Sequence, residues 1–569
     1  MYLNECKVYG GTIMLNYGVK MKKLLLVAAI IVSVLSTESM MNYHAAKAKV
    51  KKVEHQPKNI IMMVMDGTSS TATTLARWYK GAPLTLDQIV TGGVRTFSAE
   101  SAITDSAPAA TALATGNKSN SGYVGVLPSI VSSPSLEPIK EEDKLRPVAN
   151  VLEGAKRTGR ATGIVATSEI QHATPAGFSA HHVNRKQFDV IAKQQVYQNI
   201  DVVLGGGKAA LLPMQSNGIR KDGENLVKVI QNKGYDFVET KDALLNSKSN
   251  KIWGSFSHHA LAFDTDRIAT NPEQPTLSQM TEKAIQTLSK DKDGFFLFIE
   301  GSKPDWAAHA NDPIGMISDI LAFDEAVAKA LQFAKKDGDT MLIALTDHGN
   351  SGISIGNRNT TKGYNTTPVS AYIDPLKKAK MTLEGTINKL KSDLSNVEDV
   401  AKLYGLDNLT HDEKEKLKAA KKKMDVGRIL TTLLANRANI GFTTGGHTGE
   451  DVFLHSYGPQ PEGLIQNTDI AKTMAKAMGF NLEEVTNKIF LESEQAFKKI
   501  GATVTANKTE GANPLLVVKH NKVEAQLFGN KNIIRINGKG YELRSIIVES
   551  NGKCYVPEEA IQLFVKHSR

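Results

Sequence analysis

Cysteine is nearly absent: Cys6 and Cys554 are the only two in 569 residues. Cys6 lies in a leader-like stretch, so a processed chain keeps one thiol and has no internal disulfide to staple it. Aromatic residues are sparse as well, at 6%, and they do not interleave with the lysines as a nucleic-acid stacking platform requires. The net charge of +10 therefore does not point to nucleic acid as a specific partner; the lysines are scattered, or gathered in the leader and in one helical stretch. The apolar run Leu24–Leu35 is too short to span a bilayer comfortably. It follows Lys20, Lys22 and Lys23 and precedes Ala46-Lys47-Ala48, which gives the charged, apolar and small-residue regions of a secretory signal. Residues before Met21 do not fit such a signal, so Met21 is the expected start. Residues 1–48 are the expected leader, cleaved near Ala48, and the processed protein is expected outside the cytoplasm, secreted or at the cell surface; an uncleaved anchor is the alternative.

What remains is an ordinary globular composition, 41% hydrophobic and 22% charged, long enough for one large domain and something smaller. Three apolar runs each end on a carboxylate or imidazole beside a glycine. Asn59–Met65 runs into Asp66-Gly67, Phe295–Ile299 into Glu300-Gly301, and Met341–Thr346 into Asp347-His348-Gly349. Continuous apolar runs are the mark of strands buried on both faces, and open α/β sheets gather ligands at the carboxyl ends of such strands. Further strands are expected at Ala161–Ala166 and Asp201–Leu204. The predicted fold is α/β: a doubly wound, mostly parallel central sheet flanked by helices, spanning residues 49–500. The stretch Pro375–Arg428 is lysine-rich, helical in period and short of large apolar residues, and reads as a surface insertion. Beyond about residue 501 the runs Leu515–Val518, Ile533–Ile536, Tyr541–Val548 and Cys554–Val556, punctuated by Asn537-Gly538 and Asn551-Gly552, predict a small β-rich module at 501–569.

Hard carboxylate oxygens and imidazoles converging from strand ends suggest divalent cations, which would add stability that disulfides do not supply. Asp305 and His309 are four apart, so on a helix they share one face and can hold one ion. Asp347 and His348 add two ligands, and His447 between glycines adds another. The segment Thr104–Gly116 reads as a helix with Ser106 at its entrance, proline in the first turn and glycine just past the end. Taken alone, Ser106 is an N-cap; beside metal ligands it is a nucleophile that needs no histidine base. Gly205-Gly206-Gly207-Lys208 lacks the spacing of a phosphate-binding P-loop and reads as a strand-end turn. His181, His182, His258 and His259 read as surface or core histidines.

Six motifs in order, Met65-Asp66-Gly67, Thr104-Asp105-Ser106-Ala107, Ala173-Thr174-Pro175, Glu300-Gly301-Ser302, Thr346-Asp347-His348-Gly349 and Gly446-His447-Thr448-Gly449, together resemble the alkaline phosphatase family over roughly residues 55 to 480. The resemblance implies hydrolysis of small phosphate monoesters through a phosphoserine at Ser106. It implies two Zn2+ per chain. Asp305, His309 and His447 would form the first site, which activates water, and Asp66, Asp347 and His348 the second, which holds the serine oxygen. It also implies a third ion, Mg2+, on Asp66, Thr174 and Glu300, with Arg185 gripping two phosphate oxygens. His172 stands where an enterobacterial aspartate supports the magnesium waters, and Trp306 where a lysine touches phosphate through water. These exchanges leave magnesium, cobalt and zinc open for the third ion, with His172 read as a direct ligand rather than a support behind one. A phosphodiesterase or phosphonate hydrolase of the same superfamily, or an inactive surface protein, are the alternative functions. A wall polymer at the β-rich module and a second copy of the chain are the further partners left open.

Overall fold

Ten strands build the centre of the molecule: β1 (Asn59–Met65), β2 (Val90–Arg95), β3 (Ala161–Glu169), β4 (Val202–Gly206), β5 (Asp236–Val238), β6 (Ile252–Ser255), β7 (Phe295–Gly301), β8 (Thr340–Leu345), β9 (Val452–Tyr457) and β10 (Gly463–Gln466). They lie in the order β10-β2-β9-β8-β1-β7-β3-β4-β6-β5. Only β9 runs against its neighbours. The computed structural model describes residues 56–459, 461–507 and 515–569; the leader, Met21 and the site near Ala48 lie outside them. Among the described residues no helix is long and apolar enough to cross a membrane.

The apolar runs that predict β1, β7 and β8 form those strands, and their two-residue period divides them between two cores. Ile61, Met63, Leu297, Ile299, Leu342 and Ala344 face one core. Ile60, Met62, Phe296, Phe298, Met341 and Ile343 face the other. Each of the larger side chains, Ala344 excepted, stabilises the fold by roughly 1.5–3 kcal/mol when fully buried, which is why a strand buried on both faces reads as unbroken hydrophobicity. Register then fixes the functional edge. Val64 pairs with Glu300 on one side and Leu345 on the other, and Ala166 pairs with Glu300. The residues that follow, Asp66, Thr346-Asp347-His348 and the turn after β3, therefore converge at one carboxyl edge.

Four helices frame that edge: α1 (Ser106–Thr115), α2 (Ala173–Gly177), α3 (Lys303–His309) and α4 (Pro313–Asp337). The α1 helix is buried along its whole length and stops at Gly116, whose φ of 74° continues the chain left-handed.

The stretch 375–428 is helical as expected, but it is not a solvated insertion. Leu376, Val397, Val400, Tyr404, Leu406, Leu417 and Val426 are buried in the same core as β1 and β7. They are spaced at helical intervals among lysines, so the segment is amphipathic, and its last helix continues through Arg437.

At the C-terminal end Asn537-Gly538 turns Ile533–Ile536 into Lys539–Glu542, and Asn551-Gly552 turns Val548–Ser550 into Lys553–Val556. All four turn residues have positive φ, as a two-residue hairpin of the primed type requires. The run Tyr541–Val548, expected as one strand, is divided between two strands with Leu543 and Ile547 buried between them. Thr503–Asn507, Leu515–His520 and Val523–Phe528 join the first hairpin in a five-stranded sheet, the second hairpin pairs with Leu491–Glu492 in a three-stranded one, and a helix, Glu558–Ser568, closes the chain.

Candidate active site

Asp66, directly after β1, is fully buried. The turn that follows it is possible only because residue 67 is glycine. Its φ is +61°, and a Cβ there would stand 2.2 Å from Asp305 Oδ1, inside any permitted contact. The same turn lets the Gly67 N–H donate to Asp347 Oδ1 at 3.1 Å, which ties the β1 and β8 ends together.

Three imidazoles point the same atom inward. His309 Nδ1 meets the Gly445 carbonyl at 2.9 Å, His447 Nδ1 the Thr104 carbonyl at 2.8 Å, and His348 Nδ1 the Gly349 carbonyl at 3.2 Å. A carbonyl only accepts, so each Nδ1 carries the proton and each Nε2 is left with a lone pair. Two of those lone-pair nitrogens, His309 Nε2 and His447 Nε2, lie 3.1 Å apart, with Asp305 oxygens at 3.4 and 3.6 Å. Two acceptors at that distance repel unless a cation sits between them. Asp305, His309 and His447 form the first cluster able to hold an ion.

The second cluster draws on Asp66, Asp305 and His348. His348 Nε2 is 3.5 Å from Asp66 Oδ1 and 3.3 Å from Asp347 Oδ2, so Asp347 belongs with it. Asp305 thus reaches both clusters, which the one-helix-face argument does not reveal. The third is Asp66, His172 and Glu300; Thr174 Oγ1 donates to Asp66 Oδ2 at 3.4 Å beside it.

The charges in these clusters fit a cation. Burial, then Asp347, Asp305 and Glu300, push the Asp66 carboxyl well above its ordinary range. Burial also raises Asp347 and lifts Glu300 to about 7, against the Ser302 hydrogen bond. His348 does not relieve them, because burial and then His447 push it down to about 3 and keep it neutral. Asp66 Oδ1, Asp347 Oδ2, Glu300 Oε1 and His172 Nδ1 are buried without any hydrogen-bond partner. Buried polar atoms are almost always paired, so four converging orphans, all of ligand type, fit divalent cations.

Ser106 opens α1 as its first helical residue, with Asp105, rather than Ser106, at the cap position. Its Oγ is 3.1 Å from His348 Nε2, so the hydroxyl lies at the second cluster. Arg185 donates to Asp105 Oδ1 at 2.6 Å and lies 3.3 Å from His172 Nε2. Burial would raise the Asp105 carboxyl, but Arg185 and the Gly122 N–H hold it below its ordinary value. Arg185 is therefore anchored one residue from Ser106. His172 Nε2 faces Arg185 and its Nδ1 is an orphan; burial, then Arg185, push it down to about 3. Trp306 packs edge-on to that ring with centroids 5.6 Å apart.

Sequence reasoning missed the supporting residues. Asn350 donates to Asp305 Oδ1 at 2.7 Å, and Ser168 donates to Glu300 Oε2 at 3.4 Å. Gly349–Asn350 forms a short ladder with His447–Thr448. The only sequence signal for that ladder is the glycine flanking each histidine. His181, as expected of a core histidine, is fully buried and pairs with Glu153 at 3.0 Å.

A family model described as alkaline phosphatase matches residues 57–480. Alkaline phosphatase 3 of Bacillus subtilis (strain 168) is 36% identical over 488 residues, covering 81% of this chain and 98% of that one. The crystal structure of a cold-active alkaline phosphatase from the psychrophile Shewanella sp. is similar with a TM-score of 0.64 and 28% identity, over 74% of this chain and 99% of that one. A mutant of the TAB5 alkaline phosphatase, histidine replaced by aspartate and Mg bound in its M3 site, is similar with a TM-score of 0.53 and 25% identity, over 75% of this chain and 99% of that one.

Proposed function

The chain belongs to the alkaline phosphatase family and hydrolyses phosphate monoesters; from that premise we propose that it is a secreted, metal-dependent enzyme working through a phosphoserine at Ser106. The observation that carries the reading is the Ser106 hydroxyl 3.1 Å from an imidazole nitrogen that carries no proton, beside carboxylate oxygens with no partner.

Two zinc ions would be held by Asp305, His309 and His447 and by Asp66, Asp347 and His348. A third ion, magnesium, would lie on Asp66, Thr174 and Glu300, with His172 Nδ1 as a direct ligand. The TAB5 variant that binds magnesium carries aspartate in place of a histidine, so cobalt and zinc stay open for a histidine-bearing third site. Such cations supply Lewis acidity, lowering the pKa of oxygens they bind and neutralising charge on the attacking and departing ones.

The chain's own residues do the rest. Ser106 Oγ forms a bond to phosphorus as the ester P–O bond breaks and the alcohol leaves. Water then forms a bond to the same phosphorus as the P–Oγ bond breaks, which releases inorganic phosphate and restores the serine. Arg185, a planar fork held by Asp105, suits two phosphate oxygens. The N-terminal N–H groups of α1 face the same charge. Little in this set recognises the alcohol, so the substrate range should be broad. We further propose residues 49–500 as the catalytic domain and 501–569 as a β-rich module. A core around Val518, Leu527, Ile534 and Phe564 supports the division, while Ile546, Val548 and Tyr555 of the module pack into one of the two main cores.

The test is acid-quenched incubation with labelled phosphate. Wild type should retain label on serine, and Ser106→Ala should retain none; label surviving in that variant refutes the assignment. Elemental analysis should return about two zinc ions per chain. A diester turned over faster than a monoester would favour the phosphodiesterase alternative.

A further inference from the structure

A second charged concavity lies at the opposite edge of the sheet. Arg160 and Ala161 enter β3, Asp201 precedes β4 and Lys251 precedes β6. They line a cavity of about 610 Å3 whose far wall, Leu543-Arg544-Ser545, comes from the C-terminal module. Every strand that meets it does so at its amino end, whereas the phosphatase residues stand at the carboxyl end. This is a separate site.

Its charges do not balance. Lys156, Arg157, Arg160, Lys251 and Arg544 supply five cations. Of the four carboxylates that line it, Glu153 is bound to His181 at 3.0 Å and Glu542 to Lys233 at 2.5 Å, which leaves Asp201 and Asp291; Arg160 is partly answered by Asp293 and Asp339 and donates to the Lys58 and Met478 carbonyls. Arg157 and Arg544 are exposed and point no guanidinium bond at any described residue. Lys251 lies over the Tyr235 ring, 5.4 Å away, and shares the Asp201 carboxylate with Lys156. Burial lowers Lys156 to about 8, and Lys251 and Lys233 add to the shift by repulsion. Unlike-charge groups are therefore in short supply where like charges crowd.

We propose that this cleft binds a linear phosphate-bearing polyanion. Arginine forks match tetrahedral phosphate oxygens, and the cavity has room for more than one phosphate. The site is a joint product of the two parts of the chain. Glu542 of the module accepts from Lys233 and from Asn199 at 3.2 Å, so the contact that docks the module also brings Arg544 across from Arg157. A phosphate polymer held there would keep the enzyme beside phosphorylated material without entering the catalytic centre.

The test titrates the full-length, metal-loaded protein with inorganic polyphosphate in excess inorganic phosphate, which keeps the catalytic centre filled. Charge reversal of the two exposed arginines, Arg157→Glu with Arg544→Glu, should weaken binding at least tenfold, with monoester hydrolysis unchanged. A control of the same charge change reverses Lys414 and Lys416 to glutamate, far along the sequence on the helical segment, and should weaken binding less than about twofold. Equal weakening in both would mean that net charge alone attracts the polymer, and would overturn the proposal. So would wild-type protein that does not bind. If the double reversal fails to hydrolyse the monoester, Lys251→Gln alone is the deciding variant: it should cost several-fold in affinity, and unchanged affinity would overturn the proposal.

Discussion

At His181 the imidazole Nε2 meets Glu153 Oε1 at 3.0 Å and Nδ1 meets the Gly125 carbonyl at 2.8 Å; the Asn150 N–H and the Gln198 amide complete the carboxylate at 3.0 and 2.7 Å. At His348 the imidazole faces Asp66 and Asp347, whose outer oxygens have no partner. Both centres are fully buried histidine–carboxylate groups on the same scaffold. Burial works against each ion at the first, yet Glu153 is held below its ordinary value by His181, and His181 above its own by Glu153. At the second, burial and like charges raise the acids while the imidazole stays neutral. One is finished by the polypeptide alone; the other is left unbalanced by the polypeptide, as the proposed cations require. A buried ionisable cluster is thus evidence for function when its own residues leave it unbalanced.

The sharpest way to break the contrast is to remove the cations. Chelation should lower monoester hydrolysis by roughly 10^3 or more, with recovery on readdition of zinc and magnesium; an activity that survives chelation breaks it. Asp347→Asn should cost a similar factor in kcat/KM, about 10^3. In the chelated protein, however, the same variant should raise the melting temperature, because it deletes one of several crowded charges. A lowered melting temperature there would show that the acids are already compensated.

Glu153→Gln probes the other side. Leaving His181 buried without its partner should cost about 3–5 kcal/mol in urea unfolding, with zinc content and kcat/KM intact. Loss of metal in that variant would mean the two centres are coupled.

The pH dependences should have opposite signs. Glu153 is depressed, so its contribution is present above the ordinary value of 4.5 and is lost as pH falls through the folded one; His181 is raised, so its contribution is lost as pH rises beyond 6.5. Glu300 is raised from 4.5 to about 7, so in chelated protein its stabilising share is present below 4.5 and disappears as pH climbs through 7. Chelated wild type should therefore lose stability relative to chelated Glu300→Gln over that interval, and a constant difference would contradict it.

The smallest effect concerns a third buried carboxylate. Asp312, lifted by burial to about 6, accepts from Tyr404 at 2.6 Å and from the Ile314 and Leu383 N–H groups. Tyr404→Phe should cost about 1–2 kcal/mol and leave turnover untouched.

Much of this was legible beforehand where a single segment carries its own signal. The strands β1, β7 and β8 announce themselves because burial on both faces leaves no polar alternation, and each ends on a candidate ligand. The Asn-Gly hairpins are legible for the same local reason. What could not be read was set by distant partners. The seating of Tyr404 and Leu406 in the main core depends on a face that lysines conceal in composition. Asp305 serving two clusters, and the carbonyls that fix three imidazoles, depend on backbone atoms that carry no sequence identity. Glu153 and His181 are 28 apart in sequence, and no periodicity joins them.

The two-rung ladder between Gly349–Asn350 and His447–Thr448 makes hinges of neither loop. Asp347 and His348 enter one rail and His447 stands on the other, so a drift in one loop drags its counterpart along. The gap between the first two candidate ligand clusters is inherited from backbone pairing and cannot be retuned by turning one side chain. Adaptation of such a protein to cold or heat would have to soften or stiffen the periphery and leave this crossbar alone.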